Sequence, residues 1–496
     1  MNQIKIGAIL SYLNIVLTNI IGLLLTPLII KSLGSQNYGV YTLIGSMIGY
    51  FTLMDFGVGD TVIRYVSRFR AQNDQDGEAR FIGTIIKIYI PITFIILLIG
   101  IFFYFNLDYF FGKKFTVAEF NLSKQLFIIL LFNLCFSLIG NIFIGTINAY
   151  EKYIYSKTIL ITKYILRAIL VYFILVQGGQ ALSLVIVDTV MNILFFLTNF
   201  YYFRRVLKLK ITFSKIDKKH IKEIFSFSIW LFLLSMLSQF QWQGGQLLLG
   251  VISKPAIIAI YSIGIMLGGY YGAFSAAITS MFLPHATRQI VNNVSSEELT
   301  DTMIRIGRIS SYILLFILTG FILYGKQFVI LWIGEYYIES YYVAVIIMIV
   351  STFPLIQSYA NSILEAKQMV RYKTLIYLTF ICLGVLGGFF GYRIYGVIGV
   401  ACSISLGWLI SIFILNIFYI KKLNLNMIKF YKELFIHQFL PLLFLSGIGY
   451  FISSFFIEIS WLNLSIMIIS YSLIYSITYY LFVLNKNEKE IIKKIY

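Results

Sequence analysis

Apolar runs of about twenty residues recur along this chain, separated by short polar connections. Fourteen can be drawn, at 8–30, 40–63, 81–105, 125–149, 158–177, 181–203, 225–252, 256–283, 307–325, 340–364, 374–392, 397–419, 435–457 and 463–484. A helix of roughly 20 apolar residues, rising 1.5 Å each, crosses the hydrocarbon core of a bilayer. The pattern predicts an all-α polytopic membrane protein with about 14 transmembrane helices. The first run is too long for a signal-peptide apolar region and no small-residue cleavage site follows it, so it is expected to stay as a helix.

One run breaks its own rule. TILITKYILRAILVYFILVQ (158–177) carries Lys163 and Arg167, four apart and so on one helical face. Lys163 can snorkel to a nearby surface; Arg167 lies near the middle and cannot do so easily. A cation at that depth costs about 2.5–3.5 kcal/mol on insertion scales, so it is expected to face a bundle interior or a wet cavity. The next run returns in the opposite direction and carries Asp188. Arg167 precedes the 177–180 turn by ten residues and Asp188 follows it by eight, which puts both at similar depth. Two readings stand: a cation pair that holds an anionic cargo group, with Asp188 neutralising Arg167 when empty, or a static bridge between neighbouring helices.

Composition agrees with the pattern. The chain is 496 residues long, 59% hydrophobic and only 12% charged, about half the charge of a soluble domain. The net charge of +18 would fit a nucleic-acid binder, but its distribution excludes that reading. Of 39 lysines and arginines, 29 fall on alternate connections and seven on the opposite set. Such asymmetry over short loops is the positive-inside signal, and it predicts both termini in the cytoplasm. The same charge would attract anionic membrane lipids. Cys135, Cys382 and Cys402 sit in apolar runs and read as packing residues, and the three histidines have no partner at metal-ligand spacing.

A repeat runs through the first twelve spans. NFYYFRR (199–205) matches NIFYIKK (416–422), INAYEKYIYSKT (147–158) lies against ILEAKQMVRYKT (363–374), and YGVYTLIGSM (38–47) lies against IAIYSIGIM (258–266). The offsets are 216 to 220. Two six-helix lobes in one orientation follow, at 1–210 and 224–424, joined by a cytoplasmic linker at 211–223; 425–496 adds two helices and a tail. Such bundles bind cargo at the repeat interface.

Several helices carry polar stripes: Asn133, Ser137 and Asn141; Gln239, Gln243 and Gln246 with Trp242 beside them; Gln357, Asn361 and Glu365; Asn14 and Thr18. Amides beside an aromatic ring suit a wall that faces sugars, and they equally suit bonding between helices. Asp55 is a candidate carrier of a coupling proton or sodium ion, or a partner for a neighbouring helix. Glycine pairs such as Gly264 and Gly268, and the Gly384, Gly387, Gly388, Gly391 group, permit close helix approach. Pro27, Pro91, Pro284, Pro354 and Pro441 are expected to bend helices. No phosphate-cradling loop and no extramembrane loop with paired acids is present, so an enzyme is not expected and no cofactor is implied.

LGSQNYGVYTLIGSM (33–47), DFGVGDTVIRYVS (55–67) and LWIGEYY (331–337), in a basic chain of this span number, resemble the Wzx-type polysaccharide flippases. These O-antigen and capsule-unit transporters belong to the multidrug/oligosaccharidyl-lipid/polysaccharide exporter superfamily. The resemblance implies a V-shaped, two-lobed bundle in the bacterial inner membrane. It would move an undecaprenyl-pyrophosphate-linked oligosaccharide to the outer leaflet, alongside other polysaccharide-assembly proteins. It also implies a cation-lined lumen, which Lys163 and Arg167 fit. Relatives often have an acid where this chain has WQGGQLLLG (242–250), so acid-dependent coupling there is not expected. The rivals are an ion-coupled exporter of small drugs on the same fold, which would prefer acidic lumen residues, and a membrane polysaccharide polymerase, which would need a sizeable catalytic outer loop.

Overall fold

In the computed structural model the described residues are 3–484 and 489, apart from 56, 113, 214–217, 280, 281, 368 and 457. Within helices, the side chains of 4, 5, 8, 58, 218–231, 234, 274–279, 283, 437, 439 and 440 lie outside the description, which takes in His220, His437 and part of the basic 204–224 loop. Among the described residues the secondary structure is helical, and the chain divides into two compact units, Met1–Ala259 and Ile260–Tyr496.

The first unit contains α1 (Gln3–Phe51), α2 (Val58–Ala71), α3 (Gln75–Phe111), α4 (Val117–Ala149), α5 (Tyr153–Val176), α6 (Ala181–Tyr201) and α7 (Lys218–Ile252). The boundary falls inside α8 (Pro255–Thr279). The second unit continues with α9 (Leu283–Val291), α10 (Ser296–Ile333), α11 (Ile338–Ile356), α12 (Ser358–Ala366), α13 (Val370–Leu423), α14 (Met427–Ser454) and α15 (Trp461–Thr478).

Among the described residues ten helical stretches are long and apolar enough to cross a membrane, and an eleventh if Met427–Ile436 and Pro441–Ser454, bent by 40°, form one span. The difference from about fourteen has a physical origin. α13 has 54 residues, far beyond the bilayer, and breaks at Tyr395 and Gly396, where Gly396 adopts φ 57°. α1 breaks likewise at Gly34, φ 72°, a left-handed conformation that glycine adopts without penalty. α13 thus holds two of the expected runs, α1 holds the first run and the start of the second, which continues into α2, and α7 holds the run at 225–252.

Local chemistry sets the helix starts. α4 opens with a capping box: the Thr116 amide donates to Glu119 Oε2 at 2.7 Å, and the Glu119 amide donates to Thr116 Oγ1 at 3.3 Å. Asp74, Ser295, Asn426 and Ser460 cap α3, α10, α14 and α15 in the simpler way. Pro27, Pro91, Pro354 and Pro441 lie inside helices. Pro284 corrects the expectation of a bend there. It occupies the first turn of α9, where no intrahelical amide bond is lost.

Two aromatic cores hold the units. In the first, Val62, Tyr65, Phe81, Ile85, Tyr89, Ile142, Phe143 and Phe203 join α2, α3, α4 and the end of α6. In the second, Tyr324, Leu445, Met467, Tyr471, Tyr475 and Tyr479 join α10, α14 and α15. The glycines do pack helices closely at several points. A β-carbon on Gly264 or Gly268 would overlap Val343 or Ile347 of α11, and one on Gly391 would overlap the backbone at Gly399 across the α13 break. Large apolar side chains stay exposed along α3, α5, α6, α13 and α15, as lipid-facing surfaces require.

Candidate functional site

The centre of interest is the α5–α6 hairpin. Gly178 turns it with φ 84°, so residues equally far from the turn face each other. Arg167 and Asp188 meet there: the guanidinium Nε donates to Oδ1 and Nη2 donates to Oδ2, the latter at 3.1 Å. This is the fork-to-carboxylate geometry that suits arginine. The two side chains are 26% and 20% exposed, so the pair is neither sealed in dry packing nor open on all sides. Tyr41 of α1 is a third member, close enough to interact electrostatically with both Arg167 and Asp188.

One turn along the same face, Lys163 Nζ donates to Asn192 Oδ1 at 2.7 Å and sits 4.7 Å from the centre of the Phe195 ring. The hairpin therefore brings together two cations and one carboxylate. Asp188 compensates one unit of charge, and the surplus is positive. Such a surplus at membrane depth is costly unless water or an anion meets it.

The other candidates in the first unit lie on α4, on α7 and in the turn between α1 and α2. Asn133 Nδ2 of α4 donates at 3.0 Å to Thr189, the neighbour of Asp188. Asn141, two turns farther along α4, donates to Asp55 Oδ2 at 3.4 Å. Asp55 ends a short 3-10 turn, Thr52–Asp55, between α1 and α2; its carbonyl accepts from the Tyr89 hydroxyl at 2.6 Å. Asp55 Oδ1 is buried and has no hydrogen-bond partner among the described residues. On α7, the Gln239 carbonyl accepts from Tyr50 at 3.3 Å. Gln243 lies so near Gly49 that a β-carbon there would come within 2.9 Å of its Oε1. Trp242 is half-buried and Gln246 is buried.

The second unit holds its candidates differently. Gln357 is wholly buried and its Oε1 accepts from Tyr431 at 2.9 Å; Tyr431 in turn accepts from Asn416 at 3.1 Å. Asn361 accepts from the Tyr419 hydroxyl at 2.9 Å. Beside Tyr431 and Asn416 opens a groove of about 920 Å³ whose wall is almost entirely apolar, with Phe353, Phe413 and Phe435 among its residues.

Three participants escaped the sequence reading: Tyr41, Asn192 and Phe195. Asn192 carries a signal, standing four residues after Asp188 as Lys163 stands four before Arg167. Tyr41 carries none, because its partner is 126 residues away.

A family model described as Polysaccharide biosynthesis protein matches residues 5–288. A putative O-antigen export protein of Yersinia pseudotuberculosis is 38% identical over 74 residues, which is 14% of this chain and 16% of that protein. Among solved structures, the lipid II flippase MurJ in an inward closed conformation aligns with 96% of this chain and 98% of its own, with a TM-score of 0.70 at 16% identity. An inward-facing multidrug resistance MATE transporter of the MOP superfamily aligns with 81% and 92%, with a TM-score of 0.64 at 14% identity. The fold is that of these transporters.

Proposed function

We propose that this chain, which belongs to the polysaccharide biosynthesis protein family, is a membrane flippase for lipid-linked oligosaccharide. The cargo is an undecaprenyl-pyrophosphate-linked repeat unit, carried from the cytoplasmic to the outer leaflet of a bacterial inner membrane by alternating access. The termini are cytoplasmic, and two six-helix lobes, 1–210 and 224–424, alternate around the path. The observation that carries this reading is the surplus positive charge at Lys163, Arg167 and Asp188. A pyrophosphate supplies the missing anion, and the guanidinium fork matches a pair of phosphate oxygens. Asn133, Asn141, Gln239, Gln243 and Gln246, with Trp242, face the sugars, and Gln357 and Asn361 do so in the second lobe once their tyrosine partners release them. Asp55, with its unpartnered oxygen, couples movement to a proton or sodium ion. The basic loops hold anionic lipid and dock neighbouring proteins of polysaccharide assembly.

A cationic drug would be repelled by the same surplus. Resistance conferred on a drug-sensitive strain would favour an exporter of drugs instead. The direct test replaces Arg167 with Ala in a flippase-deficient strain: surface polysaccharide is lost while the protein accumulates normally. Full complementation removes Arg167 from the mechanism.

A further inference from the structure

The face of α5 that carries Lys163 and Arg167 continues through Ile159 and Tyr155, since residues four apart share a helical face. At that end, beside the basic connection, it opens into a recess of about 460 Å³ lined by Gln3, Lys152, Tyr155, Thr158, Thr162 and Tyr202 among others. Tyr155 and Tyr202 stack with ring centres 3.7 Å apart and planes 19° from parallel. The Tyr155 hydroxyl donates to the Thr198 carbonyl at 3.1 Å, which braces the pair against α6. Tyr202 begins a π-helical turn, Tyr202–Val206. Such wide turns are rare and occur frequently at functional sites.

The recess wall is mainly apolar, with a fixed aromatic face, and its polar groups are the threonine hydroxyls, the Lys152 ammonium group and the Gln3 amide. Phosphate alone has no use for the rings. A sugar uses all of them: its apolar face lies on an aromatic ring, and its hydroxyls exchange hydrogen bonds with threonine, lysine and glutamine. We infer that this recess is a glycan subsite, in which sugar rings of the cargo lie against the Tyr155 and Tyr202 stack while the pyrophosphate sits farther in at Lys163 and Arg167. Lys152 to Arg167 spans roughly 22 Å along the helix at 1.5 Å per residue, room for a head group and attached rings in sequence. The inference rests on the flippase reading above and adds to it the element that selects the sugar.

The test compares two probes bound to the purified full chain in detergent: undecaprenyl pyrophosphate, which has no sugar, and the lipid-linked repeat unit extracted from flippase-deficient cells. Tyr202→Leu is expected to weaken the repeat unit about fivefold, the scale of one aromatic contact, and to leave undecaprenyl pyrophosphate unchanged. Tyr202→Trp retains the ring and retains binding. Thr162→Val, two turns along α5 from Tyr155, carries the same expectation at about twofold, and serves if Tyr202→Leu does not accumulate. Equal weakening of both probes, or of neither, by both variants overturns the subsite. Arg167→Ala is expected to weaken both probes. If it weakens neither, the pyrophosphate assignment fails, while the Tyr202→Leu comparison still decides the recess on its own.

Discussion

The two halves that the sequence repeat aligns do not share a chemistry. At the offset that aligns Lys157 with Lys373 and Thr158 with Thr374, Lys163 corresponds to Thr379 and Arg167 to Leu383; at the neighbouring offset Asp188 corresponds to Ser405. Every charged member of the hairpin cluster thus has an uncharged counterpart. The second unit holds its amide candidates in neutral bonds with tyrosine, at Gln357, Asn361 and Asn416, and its buried Arg308 donates to the Val483 carbonyl at 2.8 Å. Its groove is apolar where the first unit's cluster is cationic. The repeat accounts for helix number and direction, which both units need in order to fold in a bilayer. The cation pair of the hairpin has no charged counterpart at the aligned positions, so on the flippase proposal one half engages the anionic part of the cargo and the other supplies surface.

The comparison breaks most sharply on a charge swap. In Arg167→Asp with Asp188→Arg the ion pair can re-form, so a merely static bridge predicts recovery of export. A cargo-binding guanidinium predicts that export stays down by about tenfold or more, since a charge-assisted hydrogen bond is worth about 1.5–3 kcal/mol. Surface polysaccharide, normalised to protein level, decides. Adding Leu383→Arg to Arg167→Ala asks whether the second unit can take over; no rescue is expected.

Lys163→Gln keeps a bond to Asn192 but removes the surplus charge, and a loss of about three- to fivefold in export is expected, with Lys163→Arg close to wild type. Asp55→Asn is expected to leave the protein folded, because the amide can still accept from Asn141. Export by this variant should lose its dependence on an imposed proton or sodium gradient in vesicles, and unchanged dependence removes Asp55 from coupling. The smallest effect on export lies in the second unit. Tyr431→Phe strips the Gln357 oxygen of its donor and costs about 1–3 kcal/mol of stability. The thermal midpoint falls, whereas export per folded molecule holds.

Much of the architecture was legible because a bilayer leaves few options. Apolar runs of the right length must be helices, and the alternating loop charge orders them. The meeting of Arg167 and Asp188 was legible for a similar reason: a tight turn and a fixed rise per residue leave one register for the hairpin. What stayed hidden depends on which face a distant helix presents. Nearly every position in these runs is apolar, so periodicity does not mark the buried side. Tyr41 at Arg167, Tyr431 at Gln357 and Tyr89 at Asp55 each join segments far apart in sequence. The merging of two runs into α13, and of one run with the start of the next into α1, was hidden as well, because a single glycine with positive φ turns the chain while helical bonding resumes at once on either side.

The reciprocal Thr116 and Glu119 bonds at the head of α4 make that helix a ruler with a pinned zero mark. Asn133 and Asn141 are read off it, one against Thr189 and the other against Asp55. A single residue inserted between the pin and these marks would rotate both by about 100° and strand both partners, although no residue in either bond had changed. Length variation in this protein should therefore collect in the connections, and the interval from 116 to 141 should tolerate exchange of side chains far better than a change in their number.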